Sequence, residues 1–268
     1  MQVAALQMVS GASVQGNLDA ARLLLESAAA QGAELAVLPE YFCLMGLKET
    51  DKLGAQESPG QGPIQDFLAD SARKFKVWIA GGTVPLRAGD EQHVRNSSLV
   101  YAPTGQCAAR YDKIHLFRFD NGQEQYDESR VIERGAAPVT FDLPSVDGHI
   151  YRVGLSICYD LRFPELYRAL KADLLVVPSA FTVTTGRAHW EVLLRARAIE
   201  NLAYVVAAAQ GGEHENGRRT WGQSLIADPW GEIVAQHAQG PAVVLGEVLA
   251  SRLQAVRQQL PALNHGVL

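Results

Sequence analysis

Cys158 is the side chain of this sequence that is best placed for nucleophilic chemistry. It follows a predicted strand at residues 152–157 and precedes a helix that Pro164 can begin. A sharp turn from strand to helix presents a side chain outward, near free backbone N–H groups that favour a thiolate over a thiol. An ordinary thiol is only about 3% ionised at pH 7, so a nucleophile needs this help. The alternative is a structural cysteine, which is the expectation for Cys43 and Cys107.

Two charged side chains follow other predicted strands in the same manner. Glu40 comes directly after a strand at residues 35–38 and Pro39, which halts the strand. Lys113 lies just past a predicted hairpin, among aromatic and aliphatic residues. Ligands of α/β folds bind at the carboxyl ends of strands, so we expect an acid, a cation and a thiol to meet there. Taken singly, each charged residue could instead be solvated or belong to an ordinary ion pair.

Other catalytic patterns in the sequence are incomplete. His115 and His189 are candidate bases for a papain-like cysteine, but neither lies in a motif that marks it as the partner. Ser156 almost completes a nucleophile elbow, but Cys158 occupies the position of its last glycine. The sequence has no HExxH metal motif. The Gly-Gln-Gly-Pro run at residues 60–63 is no phosphate loop, so nucleotide cofactors are not expected.

The composition restricts the functions open to this chain. With 24 Lys and Arg against 29 Asp and Glu the formal charge is −5, so no net positive field attracts nucleic acid. The 3 cysteines are far apart, which argues against a disulfide framework. Residues 1–8 do not resemble a signal peptide, and no apolar run approaches the length of a membrane span. We expect a cytoplasmic protein with a single domain over residues 1–268.

The order of elements predicts an α/β fold. Strands at residues 3–8 and 35–38 flank a helix that Asn17 is predicted to cap, and a second helix is predicted at residues 63–75. In the second half of the chain, the periodicity predicts a helix over residues 189–201. Helices that alternate with strands imply a layered fold, with either one mixed sheet or two packed sheets.

Several short stretches, spread over almost the whole chain, form one larger pattern. Three of them surround the candidate catalytic residues: Leu38-Pro39-Glu40, Tyr111-Asp112-Lys113-Ile114-His115-Leu116-Phe117 and Ile157-Cys158-Tyr159-Asp160-Leu161-Arg162-Phe163-Pro164-Glu165. The others lie at residues 178–182, 188–191, 195–201 and 228–231. In this order the stretches resemble the nitrilase superfamily of carbon–nitrogen hydrolases. The resemblance implies a four-layer α-β-β-α sandwich, usually paired into a homodimer, with no metal or organic cofactor.

The same resemblance implies that the chain is an amidase with a Glu-Lys-Cys triad. Glu40 is the expected base and Cys158 the nucleophile, which forms a thioester with the acyl group of the substrate. Lys113 and the backbone N–H of Tyr159 are expected to stabilise the oxyanion by donating hydrogen bonds to it. The reaction is then the hydrolysis of a carboxamide bond in a small molecule.

Within the superfamily, residues 162–165 and 181–190 look most like the Nit amidases. Their fourth polar residue is a second glutamate, which Glu128 matches. Residues 119–125 lack the Pro-Gly pair that often precedes this glutamate. The alternative for Glu128 is a carboxylate on a surface loop.

The implied substrate is small and acidic. Arg162 can form a bidentate pair with a carboxylate, while Phe181 and Thr185 match pocket positions that add an apolar wall and a hydroxyl. The alternative for Arg162 is a salt bridge to Asp160 or Glu165. The expected substrate is deaminated glutathione, cleaved to α-ketoglutarate and cysteinylglycine, and the rival is α-ketoglutaramate, which releases ammonia. A nitrilase activity and a catalytically silent binding scaffold are the remaining alternatives.

Overall fold

The elements of the fold are those of a computed structural model that describes residues 1–267. The strands are β1 Gln2–Gln7, β2 Leu35–Val37, β3 Trp78–Ala80, β4 Val84–Arg87, β5 Val94–Tyr101, β6 Cys107–Asp112, β7 Arg118–Asp120, β8 Gln125–Asp127, β9 Thr140–Pro144, β10 Ile150–Leu155, β11 Leu174–Val176, β12 Tyr204–Ala207, β13 Ser224–Ala227, β14 Ile233–His237 and β15 Ala242–Glu247. The helices are α1 Val14–Ala30, α2 Asp51–Gly54, α3 Pro63–Phe75, α4 Pro164–Leu170, α5 Val183–Asn201 and α6 Ala250–Gln259. Short 3₁₀ turns lie at Glu128–Arg130, Cys158–Arg162 and Ala262–Asn264. Over residues 1–267, no helix combines the length and the apolar character that crossing a membrane requires.

Two large sheets form the centre of the fold. In the first, the strand order is β15-β1-β2-β3-β5-β4, and β6 pairs with β5. In the second, the order is β14-β13-β12-β11-β10-β9. Strands β1, β2 and β3 are parallel to one another, and so are β10, β11 and β12. Helical crossovers connect each of these neighbours, as parallel pairing requires.

Alternating side chains bury both faces of each sheet. On β1, Val3 and Ala5 face the second sheet, whereas Ala4 and Leu6 pack with α1 and α3. Helices α4 and α5 cover the far face of the second sheet, where Leu170 joins the same buried cluster as Val3. The layers are therefore helix, sheet, sheet and helix, as in the predicted four-layer sandwich. Of the two arrangements that the pattern left open, the chain adopts two packed sheets.

Two helices begin at other residues than the sequence predicts. α1 is capped by Ser13, whose side chain accepts a backbone N–H of the first turn, and not by Asn17. Asn17 is buried inside the helix, where its amide ties α1 to the segment after β2. α5 begins at Val183 rather than residue 189, because the Thr182 side chain caps it there. Strands β4, β7 and β8 have no counterpart in the sequence prediction.

The candidate catalytic residues follow three strands that run in the same direction. Glu40 follows β2 and Lys113 follows β6, both in the first sheet, whereas Cys158 follows β10 in the second. Packing the two sheets face to face therefore brings the acid and the cation of one sheet to the thiol of the other.

Candidate active site

A buried ammonium group joins two carboxylates at the ends of these strands. Lys113 Nζ lies 2.8 Å from Glu40 Oε1 and 2.8 Å from each carboxylate oxygen of Glu128. Only 1% of Lys113 and 1% of Glu40 is exposed. Burial alone would lower the pKa of Lys113, but the charges of Glu128 and Glu40 outweigh burial and raise it. The ammonium group therefore stays charged inside the protein.

The two carboxylate oxygens of Glu40 differ in their hydrogen-bond partners. Oε1 accepts hydrogen bonds from Lys113 Nζ at 2.8 Å and from Asn96 Nδ2 at 2.9 Å. The carboxylate of Glu40 and the sulfur of Cys158 line the same pocket. Since Oε1 already has two donors, Oε2 is the oxygen that remains to take the thiol proton. Burial raises the pKa of Glu40 although Lys113 opposes it, which moves the carboxylate toward the range of a general base.

Cys158 sits in a strained turn that aims its sulfur into the site. Its φ is 50°, a left-handed conformation that costs a residue with a side chain about 1–3 kcal/mol. The surrounding hydrogen bonds hold this conformation: the N–H of Cys158 donates to the carbonyl of Pro178 and the N–H of Ile157 to the carboxylate of Asp160, both at 2.8 Å. Ala180 lines the pocket beside the sulfur. The turn thus fixes the nucleophile candidate in the same pocket as the carboxylate of Glu40.

Burial opposes the ionisation of the Cys158 thiol, whereas the sequence predicts that the turn favours a thiolate. Burial raises the pKa of Cys158 well above its ordinary value, and the charge of Glu40 raises it further, while Lys113 and the N–H of Ala180 lower it by less. The helix end gives little help because Cys158 opens a 3₁₀ turn of 5 residues and lies before α4. A base beside the sulfur can therefore take the proton as the sulfur attacks.

Glu128 lies where the hairpin of β7 and β8 ends. Its Oε1 accepts the hydroxyl of Tyr41 and its Oε2 the N–H of Phe117, both at 2.7 Å. Burial raises the pKa of Glu128, but Lys113 and these two donors outweigh burial and lower it. Only 10% of its side chain is exposed, so the alternative of a solvated surface carboxylate is wrong. The hairpin forms although residues 119–125 lack the Pro-Gly pair.

A small pocket of about 10 Å³ opens beside the sulfur. The residues predicted to bind substrate all line it, namely Arg162, Phe181 and Thr185, and so does Tyr159. The hydroxyl of Thr185 is 3.0 Å from the hydroxyl of Thr182, which fixes its position in the pocket wall. The structure therefore brings together every site residue that the sequence singled out.

Arg162 is a cation without a carboxylate partner in the described part of the chain. Its Nη2 lies 3.1 Å from Nδ1 of His189, and its guanidinium carbon lies 5.9 Å from the centre of the Phe181 ring. A salt bridge to Asp160 or Glu165 does not form. Asp160 instead accepts hydrogen bonds from the segments on either side of the site. The guanidinium of Arg162 is therefore available to bind an anionic ligand in the pocket.

Comparisons with known proteins identify the family. Residues 2–258 match the model of the carbon-nitrogen hydrolase family. The chain belongs to this family. It is 43% identical over 270 residues to a protein from Synechocystis named deaminated glutathione amidase. The match covers 98% of this chain and 97% of that protein. It is 35% identical over 265 residues to human omega-amidase NIT2, and this match covers 97% of this chain and 92% of that protein.

A solved structure supports the same assignment. The Saccharomyces cerevisiae protein Nit3, described as a member of branch 10 of the nitrilase superfamily, is 28% identical and matches with a TM-score of 0.86, covering 97% of this chain and 94% of that one. The predicted superfamily and the predicted sandwich are therefore confirmed. The predicted enzyme class is confirmed as well, since the family hydrolyses carbon–nitrogen bonds and the relatives named above are amidases.

Sequence reasoning missed three side chains that support the site of this carbon–nitrogen hydrolase. Asn96 donates a hydrogen bond to Glu40 Oε1, but it lies between Arg95 and Ser97 in the polar half of its strand, so no pattern marks it. Tyr41 holds Glu128, and no pattern marks it. Arg218 lines the pocket from a glycine-rich loop and donates from Nη2 to the carbonyl of Ala180 at 2.9 Å. Nothing in the loop sequence indicates where this arginine points.

The other cysteines of this carbon–nitrogen hydrolase lie outside the pocket. Cys43 is buried and its thiol donates to the carbonyl of Thr83 at 3.4 Å, and burial raises the pKa of Cys43 to about 12. Cys107 is exposed, so the expected structural role fits Cys43 and not Cys107. Within residues 1–267, no group of three or more His, Cys, Asp and Glu side chains is arranged to hold a metal ion.

Proposed function

We propose that this carbon–nitrogen hydrolase is an amidase that cleaves deaminated glutathione. The observation that carries the proposal is Arg162, a cation without a carboxylate partner in the described residues, in the same pocket as the thiol of Cys158. A bidentate pair between Arg162 and the keto-acid carboxylate would satisfy the guanidinium and set the far end of the acyl chain toward the sulfur. The 43% identical relative named deaminated glutathione amidase supports this substrate.

In the first half of the proposed reaction, Glu40 takes the thiol proton while the sulfur of Cys158 attacks the amide carbonyl. The carbonyl oxygen becomes an oxyanion, which accepts hydrogen bonds from the ammonium of Lys113 and the backbone N–H of Tyr159. A single donor to an oxyanion is worth about 3–4 kcal/mol of barrier. Glu128 contributes by keeping Lys113 charged and in position.

In the second half, Glu40 returns its proton to the amide nitrogen as the C–N bond breaks. Cysteinylglycine leaves, and the acyl group remains on Cys158 as a thioester. Water then loses a proton to Glu40 and attacks the thioester carbonyl, which releases α-ketoglutarate and restores the thiol. One carboxylate serves both halves because its raised pKa suits it to take and to return a proton.

α-Ketoglutaramate is the second candidate substrate. It shares the keto-acid half with deaminated glutathione, so Arg162 would bind both, and ammonia leaves in place of the dipeptide. The 35% identity with human omega-amidase NIT2 supports this alternative.

The test is an assay of purified protein with both compounds, in which released α-ketoglutarate is measured by a coupled dehydrogenase. We expect a larger kcat/KM for deaminated glutathione, and no turnover of either compound by Cys158→Ala. A preference for α-ketoglutaramate would overturn the first assignment in favour of the second. Turnover that survives in Cys158→Ala would remove the sulfur from the mechanism.

We also propose that the protein is a homodimer, as the nitrilase resemblance implies. Val192 and Ile199 lie two turns apart on α5 and are 69% and 46% exposed, and Trp230, which precedes the glycine beside Ile199, is 49% exposed. Apolar side chains grouped on one face are typical of a protein contact. Light scattering should give twice the chain mass, and Val192→Lys with Ile199→Lys should give the monomer. A wild-type protein of single chain mass would contradict the dimer.

A cytoplasmic location and a single domain complete the proposal. Within residues 1–267 all three cysteines are free thiols, which is typical of a reducing compartment. One buried cluster includes residues from Met1 to Leu253, which supports a single domain over residues 1–268. One cooperative unfolding transition, followed by both tryptophan fluorescence and circular dichroism, is the expected observation.

A further inference from the structure

Two cavities in the described part of the chain meet at one wall. The pocket beside Cys158 is small, about 10 Å³, and a second cavity measures about 410 Å³. Phe117, Glu128 and Arg218 line both cavities, and Tyr126 lines only the second. Pockets for small molecules commonly measure about 300–1,000 Å³. The second cavity falls within this range, so it offers room for the group that leaves, next to the small pocket at the sulfur.

Arg218 on the shared wall has hydrogen-bonding capacity that the described residues do not use. Its Nη2 donates to the carbonyl of Ala180 at 2.9 Å. Its Nε is buried and has no partner within residues 1–267. The guanidinium carbon lies 5.1 Å from the centre of the Tyr126 ring, which forms an aromatic support for the cation. A buried donor without a partner calls for an explanation, and a ligand that completes the bond supplies one.

The carboxylates around the second cavity do not satisfy this arginine. Each is already paired with another cation of the described chain. These pairs are Glu128 with Lys113, Glu49 with Lys52 and Asp127 with Arg130. Arg218 therefore resembles Arg162, because each is a cation in a cavity wall with no carboxylate partner among residues 1–267.

We propose that the second cavity is the leaving-group subsite and that Arg218 binds a carboxylate of the leaving group there. The preferred substrate class is then an amide with a carboxylate on each side of the bond that breaks. Arg162 binds the acyl side and Arg218 the amine side. The inference rests on the proposed function, since cysteinylglycine ends in a carboxylate, whereas ammonia leaves the second cavity empty.

The test has to separate carboxylate binding from a second effect of Arg218. This arginine also holds the carbonyl of Ala180, which lines the pocket beside the sulfur of Cys158. A substitution of Arg218 could therefore disturb the nucleophile itself. Equilibrium binding to a chain without the nucleophile avoids this ambiguity, because no turnover is measured.

The binding experiment uses the Cys158→Ala chain and two probes, N-acetylserylglycine and its C-terminal carboxamide, which differ only in the terminal charge. We expect the carboxylate probe to bind at least about tenfold more tightly than the carboxamide, because hydrogen bonds to charged groups are the strong ones. Adding Arg218→Met should abolish that difference. Adding Arg134→Met, the same change at an exposed arginine outside both cavities, should leave the difference intact.

Equal binding of the two probes to the Cys158→Ala chain would overturn the proposal, and that result needs no Arg218 variant to fold. A difference that survives Arg218→Met would also overturn it. In the kinetic arm, Arg218→Met in the chain with intact Cys158 should lower the ratio of kcat/KM for deaminated glutathione to that for α-ketoglutaramate about tenfold or more. Failure of the wild-type chain to cleave either compound would refute the proposed function, while the binding comparison would still decide the subsite.

Discussion

Asn96 Nδ2 lies 2.9 Å from Glu40 Oε1, and both side chains are buried. The bond ties the carboxylate that follows β2 to β5 of the same sheet. It also occupies the oxygen that Lys113 shares, which leaves the other oxygen for the thiol proton. Asn96 is therefore a positioning residue for the proposed base.

Asn96→Ala should lower kcat/KM more than it destabilises the protein. A hydrogen bond to a charged group contributes about 1.5–3 kcal/mol, which corresponds to a loss of about ten- to a hundredfold. Because the amide donor favours the charged carboxylate, its removal should raise the pKa of Glu40 and move the acid limb of the kcat/KM profile to higher pH.

The matched control for this variant is Ser98→Ala. Ser98 lies on the same face of β5, and its buried hydroxyl has no hydrogen-bond partner within residues 1–267. Its removal should leave the pH profile in place. If Asn96→Ala loses activity with an unchanged acid limb, the amide does not act through the protonation of Glu40.

Lys113→Met should abolish turnover and make stability fall as pH rises. Without the ammonium, two carboxylates stay buried with no cation, and breaking a buried pair in this way costs about 3–5 kcal/mol. The pKa values of Glu40 and Glu128 should then rise above their values in the unfolded chain. The folded variant binds more protons than the unfolded one, so its stability is greatest below the ordinary carboxyl range and is lost above it.

Thermal denaturation of wild type and Lys113→Met at pH 5 and pH 8 measures this effect. The difference between their melting temperatures should be smaller at pH 5. A difference that is equal at the two pH values would show that the carboxylates do not depend on Lys113 for their charge. Turnover above about a tenth of the wild-type value would contradict the role of Lys113 at the oxyanion.

Glu40→Gln should separate the reactivity of the thiol from the cleavage of the amide. The charge of Glu40 raises the pKa of Cys158, so its removal lowers that pKa while Lys113 remains nearby. Alkylation of Cys158 by iodoacetamide at neutral pH should therefore continue at the wild-type rate or faster. Amide turnover should fall by about a hundredfold or more, because the leaving nitrogen and the attacking water lose their proton carrier.

Mass spectrometry of the alkylated peptides measures both sites in one experiment. Exposed Cys107 is the internal reference for reagent activity, and buried Cys43 should stay unmodified. If alkylation of Cys158 slows in parallel with turnover, then ionising the thiol is the main task of Glu40.

Helix prediction succeeded where local signals were strong and failed where they were weak. α3 begins and ends at the predicted residues 63 and 75, because a proline suits the first helical position and the apolar spacing is regular. The start of α5 was missed because its first turn contains β-branched residues and Gly186, all weak helix formers. Thr182 could have marked the true start as a cap.

In the candidate site, local sequence patterns mark the catalytic residues but not the partners that lie far away in the sequence. Glu40, Lys113 and Cys158 follow strands, and the family resemblance names them together. The partners that tune them come from distant parts of the chain: Asn96 is 56 residues from Glu40, and Arg218 is 38 residues from Ala180. Such contacts depend on how two sheets pack, and a single sequence carries no local pattern for them.

Asp160 joins the proposed nucleophile to the segment that carries the proposed oxyanion ligand. Its Oδ2 accepts the N–H of Ile157 and the hydroxyl of Tyr111, both at 2.8 Å, and its Oδ1 lies 2.7 Å from Nδ1 of His115. One buried carboxylate thus ties the turn of Cys158 to both flanks of Lys113.

Asp160→Asn should therefore disturb both stability and the geometry of the nucleophile. One of its atoms becomes an amide donor that faces other donors, and leaving a buried group unsatisfied costs about 1–3 kcal/mol. Urea unfolding should show this loss of stability. kcat should fall because the sulfur of Cys158 and the ammonium of Lys113 are no longer fixed relative to each other. Asp142→Asn on β9 is the matched control, because Asp142 is exposed and its substitution should change neither quantity. Normal kcat in a destabilised Asp160→Asn would mean that the strained turn at Cys158 is held by the Pro178 carbonyl without this carboxylate.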